Sequence, residues 1–149
     1  MSNPHAFDAA ALRGRLSGLG RKLAEREAGE AAALSEAGRK AARLRALVAD
    51  GLAGFNEAVV AAGAPQLVVA VSETRPDDKH LRSVQFDLGR GRQTAIVTVK
   101  SRGEVTLVGP FRAGKPEGPC LSFPFGAEAE LEKALAEFLE RFLEEAAAP

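Results

Sequence analysis

Residues 83–100 read SVQFDLGRGRQTAIVTVK, and this stretch decides the fold class. Apolar and polar side chains alternate from Val84 onward, which is typical of a strand with one buried face. Residues 89–92 contain two glycines, and glycine favours the tight reversal of a hairpin. Residues 93–100 are rich in β-branched side chains, which favour a second strand. The stretch therefore predicts an antiparallel β-hairpin.

Strand patterns continue on both sides of this hairpin. Residues 67–71 are continuously apolar, which predicts a strand covered on both faces or at the centre of a sheet. Residues 101–103 form a second tight turn with a glycine, and residues 104–108 return as another strand. Because short turns join successive strands, we expect an antiparallel meander of four or five strands.

The last part of the sheet region is broken by glycine and proline. Residues 109–119 carry three of each, which predicts a loop. Residues 120–123 predict a short strand that lies at a sheet edge, because Pro119 and Pro124 flank it. The single cysteine, Cys120, excludes an intramolecular disulfide, and we expect it to be a small buried hydrophobe.

The N-terminal part has a helical composition from Phe7 to Gly63. Four leucines recur at 4-3-4 spacing and share one helix face: Leu12, Leu16, Leu19 and Leu23. Arg26 and Glu30 interrupt this stripe, and Gly29 lies inside the break. The break predicts either a helical hairpin or a change of phase in one long helix.

The leucine stripe has two interpretations. It covers the sheet or another helix of the same chain, or it pairs with a second copy or another partner helix. Glycines in the segment would weaken an isolated helix by about 1 kcal/mol each relative to alanine; they are Gly14, Gly18, Gly20 and Gly29. The leading hypothesis is therefore a non-enzymatic interaction module that self-associates through its N-terminal helices.

The C-terminal residues 127–146 predict an amphipathic helix that packs across one face of the sheet. Its apolar stripe contains Leu131, Leu135, Phe138, Leu139, Phe142 and Leu143. The expected fold class is α+β, with a helical arm at residues 1–65. Residues 66–149 then form the sheet and the C-terminal helix, and we expect them to fold as one unit with the arm.

Charge is balanced overall, with 20 basic and 20 acidic residues, but it is unevenly spread. Residues 75–115 contain nine Lys or Arg against four Asp or Glu. In a meander, the turn at 89–92 and the loop at 109–119 lie at one end of the sheet. Four basic residues at this end form a candidate site for nucleic acid or another anion: Arg90, Arg92, Arg112 and Lys115. The alternative is that these charges keep the turns and edges soluble.

Catalytic motifs are poorly represented. Residues 109–115 fit the first seven positions of a phosphate-binding loop, but Pro116 replaces the Ser or Thr that would bind Mg²⁺. Only two histidines are present. We expect no enzyme activity, cofactor or metal; a small ligand between sheet and helix is a further alternative. No signal-peptide pattern or apolar run of ~18 residues occurs, so we expect a cytoplasmic protein that does not enter membranes.

Overall fold

The computed structural model describes residues 8–77, 82–114 and 118–148. It shows an α+β protein with a long first helix, an antiparallel sheet and a C-terminal helix, as the sequence predicts. The chain divides after Ala32 into two compact units. The elements are α1 (Ala9–Ala61), a 3-10 turn (Pro65–Leu67), β1 (Ala70–Val71), β2 (Arg75–Pro76), β3 (Ser83–Arg90), β4 (Gln93–Lys100), β5 (Glu104–Arg112), β6 (Cys120–Pro124) and α2 (Glu128–Ala147).

Helix α1 is a single helix of 53 residues. Asp8 caps its first turn, because its Oδ1 accepts a hydrogen bond from the Ala11 N–H at 3.1 Å. Gly29 lies within the helix, so the hairpin interpretation is wrong and the long helix is correct. The helix ends just before Gly63, whose φ of +83° is a conformation that glycine adopts without strain.

The sheet has the strand order β1-β3-β4-β5-β6, and every pairing is antiparallel. β2 also pairs with β3, so β1 and β2 are two pieces of one interrupted edge strand. Ser72 lies in the interruption: its N–H donates to the Asp87 carbonyl, and its Oγ accepts from the Asp87 N–H, both at 2.8 Å. The predicted meander is confirmed.

The predicted strand at residues 67–71 is mostly wrong. Pro65 begins a 3-10 turn, and only Ala70 and Val71 pair with β3. Val69 is buried, but a side chain of α1, Asn56, binds its backbone N–H and carbonyl. The apolar run therefore reflects burial, not a continuous ladder of strand hydrogen bonds.

The predicted loop at 109–119 begins too early, because β5 continues to Arg112. Gly109 and Pro110 together face Ala95 of β4, which makes a β-bulge. Gly109 has a φ of +113°, and a Cβ there would lie 3.1 Å from the Ala95 Cα, so only glycine fits. Glycine and proline at this position mark a bulge inside a strand, not a loop.

The hydrophobic core lies between one sheet face and the two helices. α2 lies against β4 and β5, and its predicted stripe faces the core. The buried side chains include Ala37, Ala41, Val48 and Leu52 of α1, Phe86, Leu88, Val97 and Leu107 of the sheet, and Leu131, Leu135, Phe138 and Phe142 of α2. The sequence therefore predicts the covered sheet face correctly.

Strand β6 forms one edge of the sheet, and its exposure differs from the prediction. Cys120 is exposed, so the expectation of a buried thiol is wrong. Its partner across the ladder is Val108, on the sheet face opposite the helices. On that face a hydrogen bond of 2.9 Å joins Thr106 Oγ1 and Ser122 Oγ, and Thr106 is buried.

Candidate functional site

The four leucines of the predicted stripe are solvent-exposed. Their exposed fractions are 39% for Leu12, 55% for Leu16, 50% for Leu19 and 47% for Leu23. Every residue from 8 to 32 is exposed except Gly18 and Glu30, which are half-buried. Among the described residues, no other four leucines share one exposed helix face. In the part of the chain that the structure describes, the stripe is therefore an exposed apolar surface.

The four leucines have the spacing of the heptad repeat found in coiled coils. In heptad notation, Leu16 and Leu23 take position a, while Leu12 and Leu19 take position d. The glycines of this segment lie at other positions, so the seam itself contains only leucine. A Cβ added at Gly14, Gly20 or Gly29 would meet nothing within 4 Å. These three glycines lower helix propensity, and no described neighbour would clash with a larger side chain in their place.

The seam ends in two polar layers. Arg26 occupies the next d position and Glu30 the next a position. Polar residues at core positions of a coiled coil fix its register at a cost in stability. Leucine packing therefore covers about two heptads, which is short for a stable coiled coil.

The structure brings the three described arginines of the predicted anion site around one depression of about 210 Å³. Arg90 is already bound there: its Nε donates to the Gln66 carbonyl at 2.8 Å, and its Nη1 donates to the Ala146 carbonyl. A guanidinium at the C-terminal end of α2 also complements the helix dipole. Arg90 therefore holds the last turn of α2.

Arg92 and Arg112 are the two other described members of this set, and both are exposed. Within the described residues neither forms an ion pair. The Ala113 N–H donates to the Arg92 carbonyl at 2.7 Å, which holds the two strand ends together. Lys115 lies outside the described residues. The anion site remains a prediction that depends on Arg92 and Arg112.

Three described basic side chains at the other end of the sheet form ion pairs with carboxylates. Arg75 Nη2 lies 2.7 Å from Asp87 Oδ2. Lys100 and Arg102 both contact Glu104 Oε1, at 3.1 and 2.5 Å. Hydrogen bonds from Arg102, which has the larger effect, and from Lys100 lower the pKa of the Glu104 carboxyl below its ordinary value of 4.5. These cations have local structural partners.

A cleft of about 220 Å³ lies between α1 and α2. Leu44, Leu131 and Lys40 are among the residues that line it. The Lys40 ammonium is 4.9 Å from the Phe125 ring centroid and 3.7 Å from Glu128 Oε1. The cleft is smaller than the ~300–1,000 Å³ of most ligand pockets. A small ligand was expected between sheet and helix, whereas this opening lies between two helices.

Comparison with known proteins adds no constraint: no family model, curated protein or solved structure matches the chain. Among residues 8–77, 82–114 and 118–148, no cluster of three or more His, Cys, Asp or Glu side chains could hold a metal ion. Within the same ranges, neither helix combines the length and apolar character that a membrane span requires.

Proposed function

We propose that this protein is a non-enzymatic assembly module that self-associates through the leucine stripe of α1. The observation that carries the proposal is the exposure of Leu12, Leu16, Leu19 and Leu23, which is between 39% and 55%. Monomeric proteins seldom leave so regular an apolar face in water. Burying the exposed half of one leucine contributes about 1 kcal/mol.

The segment also needs a partner to be stable as a helix. Isolated helices are marginal in water, because nucleation is costly and each exposed glycine lowers helix stability by about 1 kcal/mol. Gly14, Gly18, Gly20 and Gly29 all lie in this part of α1. Pairing of two leucine seams would offset these costs, since each helix would then bury the face that carries Leu16 and Leu19.

Charges beside the seam favour a second copy in parallel register. In that arrangement a residue at position g faces position e of the next heptad in the other helix. Asp8 then faces Arg13 of the second copy, and Lys22 faces Glu27 of the second copy; both pairs are attractive. An antiparallel alignment of the same leucines would place Arg15 beside Lys22 of the second copy, which is repulsive. Charge complementarity therefore supports a parallel pair.

The polar layers fit the same register. A d-position side chain packs between positions of the facing helix that include the following a position. Arg26 would therefore lie beside Glu30 of the second copy. This attraction would offset the repulsion between the two facing Arg26 side chains and between the two facing Glu30 side chains. A seam of two leucine heptads followed by two polar layers should associate weakly, with a Kd on the order of micromolar.

Light scattering with refractive-index detection tests the proposal, and that detector suits a chain without Trp or Tyr. The full chain at about 5 to about 500 µM should rise in mass above that of the monomer. Leu16→Glu should shift this rise to a concentration at least about tenfold higher. Ser17→Glu is the matched control, because it adds the same charge one residue away and off the seam. A concentration-independent monomer, or equal effects of the two variants, would contradict the proposal.

The second candidate is an anion-binding protein, and the exposure of Arg92 and Arg112 on neighbouring strands supports it. A short single-stranded oligonucleotide is the probe. Under this alternative its log affinity falls steeply with log salt, and Arg92→Ala with Arg112→Ala weakens binding. Arg21→Ala with Arg43→Ala removes the same charge at exposed positions off the leucine stripe and should leave binding unchanged. The absence of Trp and Tyr removes the best side chains for stacking on bases.

A further inference from the structure

We propose that the outer edge of β6 pairs antiparallel with β6 of a second copy, so that two sheets join into one. β6 spans Cys120–Pro124 and pairs only with β5 in the described part of the chain. Four of its five residues are exposed, and Leu121 is 55% exposed. Unpaired sheet edges of this kind are templates for another strand. The surface is separate from the leucine stripe of α1.

The hydrogen bonds beside β6 show which backbone groups face outward. The Gly109 N–H donates to the Pro119 carbonyl, and the Phe125 N–H donates to the Gly103 carbonyl. Hydrogen-bonded positions alternate along an antiparallel ladder, so Leu121 and Phe123 also direct their backbone groups toward β5. The N–H and C=O groups of Cys120 and Ser122 therefore point away from the sheet.

These outward groups are self-complementary. In an antiparallel pair centred on Leu121, the Cys120 N–H and C=O face the C=O and N–H of Ser122 in the second copy. The same bonds repeat on the other side of the two-fold axis. Leu121 then lies opposite Leu121 of the second copy, at a position where facing side chains are closest. Two half-exposed leucines cover each other on the helix-bearing side of the joined sheet.

Prolines limit the length of this contact. Pro124 lacks an N–H at the next outward position, and Pro119 comes just before the strand. The edge contact should therefore be weak alone and should add to a second interaction. With the leucine seam of α1, the chain would carry two different self-complementary surfaces, and such a chain forms assemblies larger than a dimer.

Cross-linking tests the pairing and its register. Facing residues of a hydrogen-bonded pair have Cα atoms about 5.5 Å apart, which suits a disulfide, whereas diagonal neighbours are about 7–8 Å apart. In a Leu16→Glu background, which removes the α1 seam, Ser122→Cys should give a disulfide-linked dimer through Cys120 of the other copy. The background chain with Cys120 alone should not, and neither should Ser122→Cys combined with Cys120→Ser.

Leu121→Lys provides a second measurement, because it places two ammonium groups together on the two-fold axis. Added to Ser122→Cys, it should lower the dimer yield at least about tenfold, the equivalent of about 1.4 kcal/mol. Leu47→Lys is the matched control, since Leu47 is 56% exposed and lies on α1. Cross-linking in either single-thiol chain, equal effects of the two lysines, or no dimer with Ser122→Cys would overturn the edge pairing. None of these results depends on the α1 seam.

Discussion

Asn56 and Val69 are joined by two hydrogen bonds: Asn56 Nδ2 donates to the Val69 carbonyl at 3.0 Å, and the Val69 N–H donates to Asn56 Oδ1 at 2.9 Å. A helix side chain thus takes the place of a neighbouring strand. Val69 is buried, so its backbone groups would otherwise lose their hydrogen bonds with water. This pair attaches the segment before β1 to α1.

Asn56→Ala should lower the free energy of unfolding by about 1–3 kcal/mol, because it leaves the buried Val69 N–H and C=O without partners. Urea unfolding followed by far-ultraviolet circular dichroism measures this change. Glu57→Ala is the control at the next, exposed position of α1 and should change stability by less than about 0.5 kcal/mol. Equal stability of Asn56→Ala and the parent chain would show that the pair contributes little.

Arg90→Ala should destabilise the last turn of α2. The substitution removes donors to the carbonyls of Gln66 and Ala146 and a positive charge at a helix C-terminus. We expect a loss of about 1–2 kcal/mol in the free energy of unfolding, with faster amide exchange at the end of α2. Arg92→Ala should have no such effect. If the two substitutions behave alike, Arg90 is an ordinary surface cation.

Acid should weaken the fold partly through Glu104. Because Arg102 and Lys100 lower the pKa of this carboxyl in the folded chain, the folded state binds the proton less readily than the unfolded state. The stabilisation is therefore present above the ordinary value of 4.5 and is lost as the pH falls through the lower folded pKa. The stability difference between the parent chain and Glu104→Gln should vanish in acid. A difference that persists unchanged to pH ~2 would exclude this linkage.

Cys120 should react with a thiol reagent in the native state, because it is exposed at the start of β6. At low protein concentration, the native chain and the urea-unfolded chain should react with rates within about tenfold of each other. Dithionitrobenzoate provides the colour change, and Cys120→Ser is the blank. Protection by several orders of magnitude in the native state would place the thiol in the core instead.

Patterns among neighbouring residues predict the parts of this fold that depend on residues close together in the sequence. The alternation from Val84 to Leu88 and the glycines of the following turn establish the β3–β4 hairpin and its buried face. Contacts between distant residues are harder to predict. The apolar residues around Val69 predict a strand, but its backbone N–H donates to Asn56, which lies 13 residues earlier in the sequence. A polar residue beside the buried stripe of α1 is the available signal for such a contact.

The same contrast between local patterns and distant contacts applies to the candidate surfaces. Heptad spacing predicts the face shared by Leu12 and Leu19 but not its exposure, which depends on what the rest of the chain covers. The grouping of Arg92 with Arg112 follows from the pairing of β4 with β5, but the hydrogen bond of Arg90 to the end of α2 depends on where that helix lies. Sequence patterns therefore locate these residues without showing which groups are already bound.

Cross-linking through position 19 tests self-association through the leucine stripe most directly. In a Cys120→Ser background, Leu19→Cys places the only thiol at a d position, where facing side chains of a parallel pair meet. Mild oxidation should give a disulfide-linked dimer in high yield, whereas Ser17→Cys in the same background should give little. Cross-linking that is absent, or equal for positions 17 and 19, would contradict a parallel leucine seam.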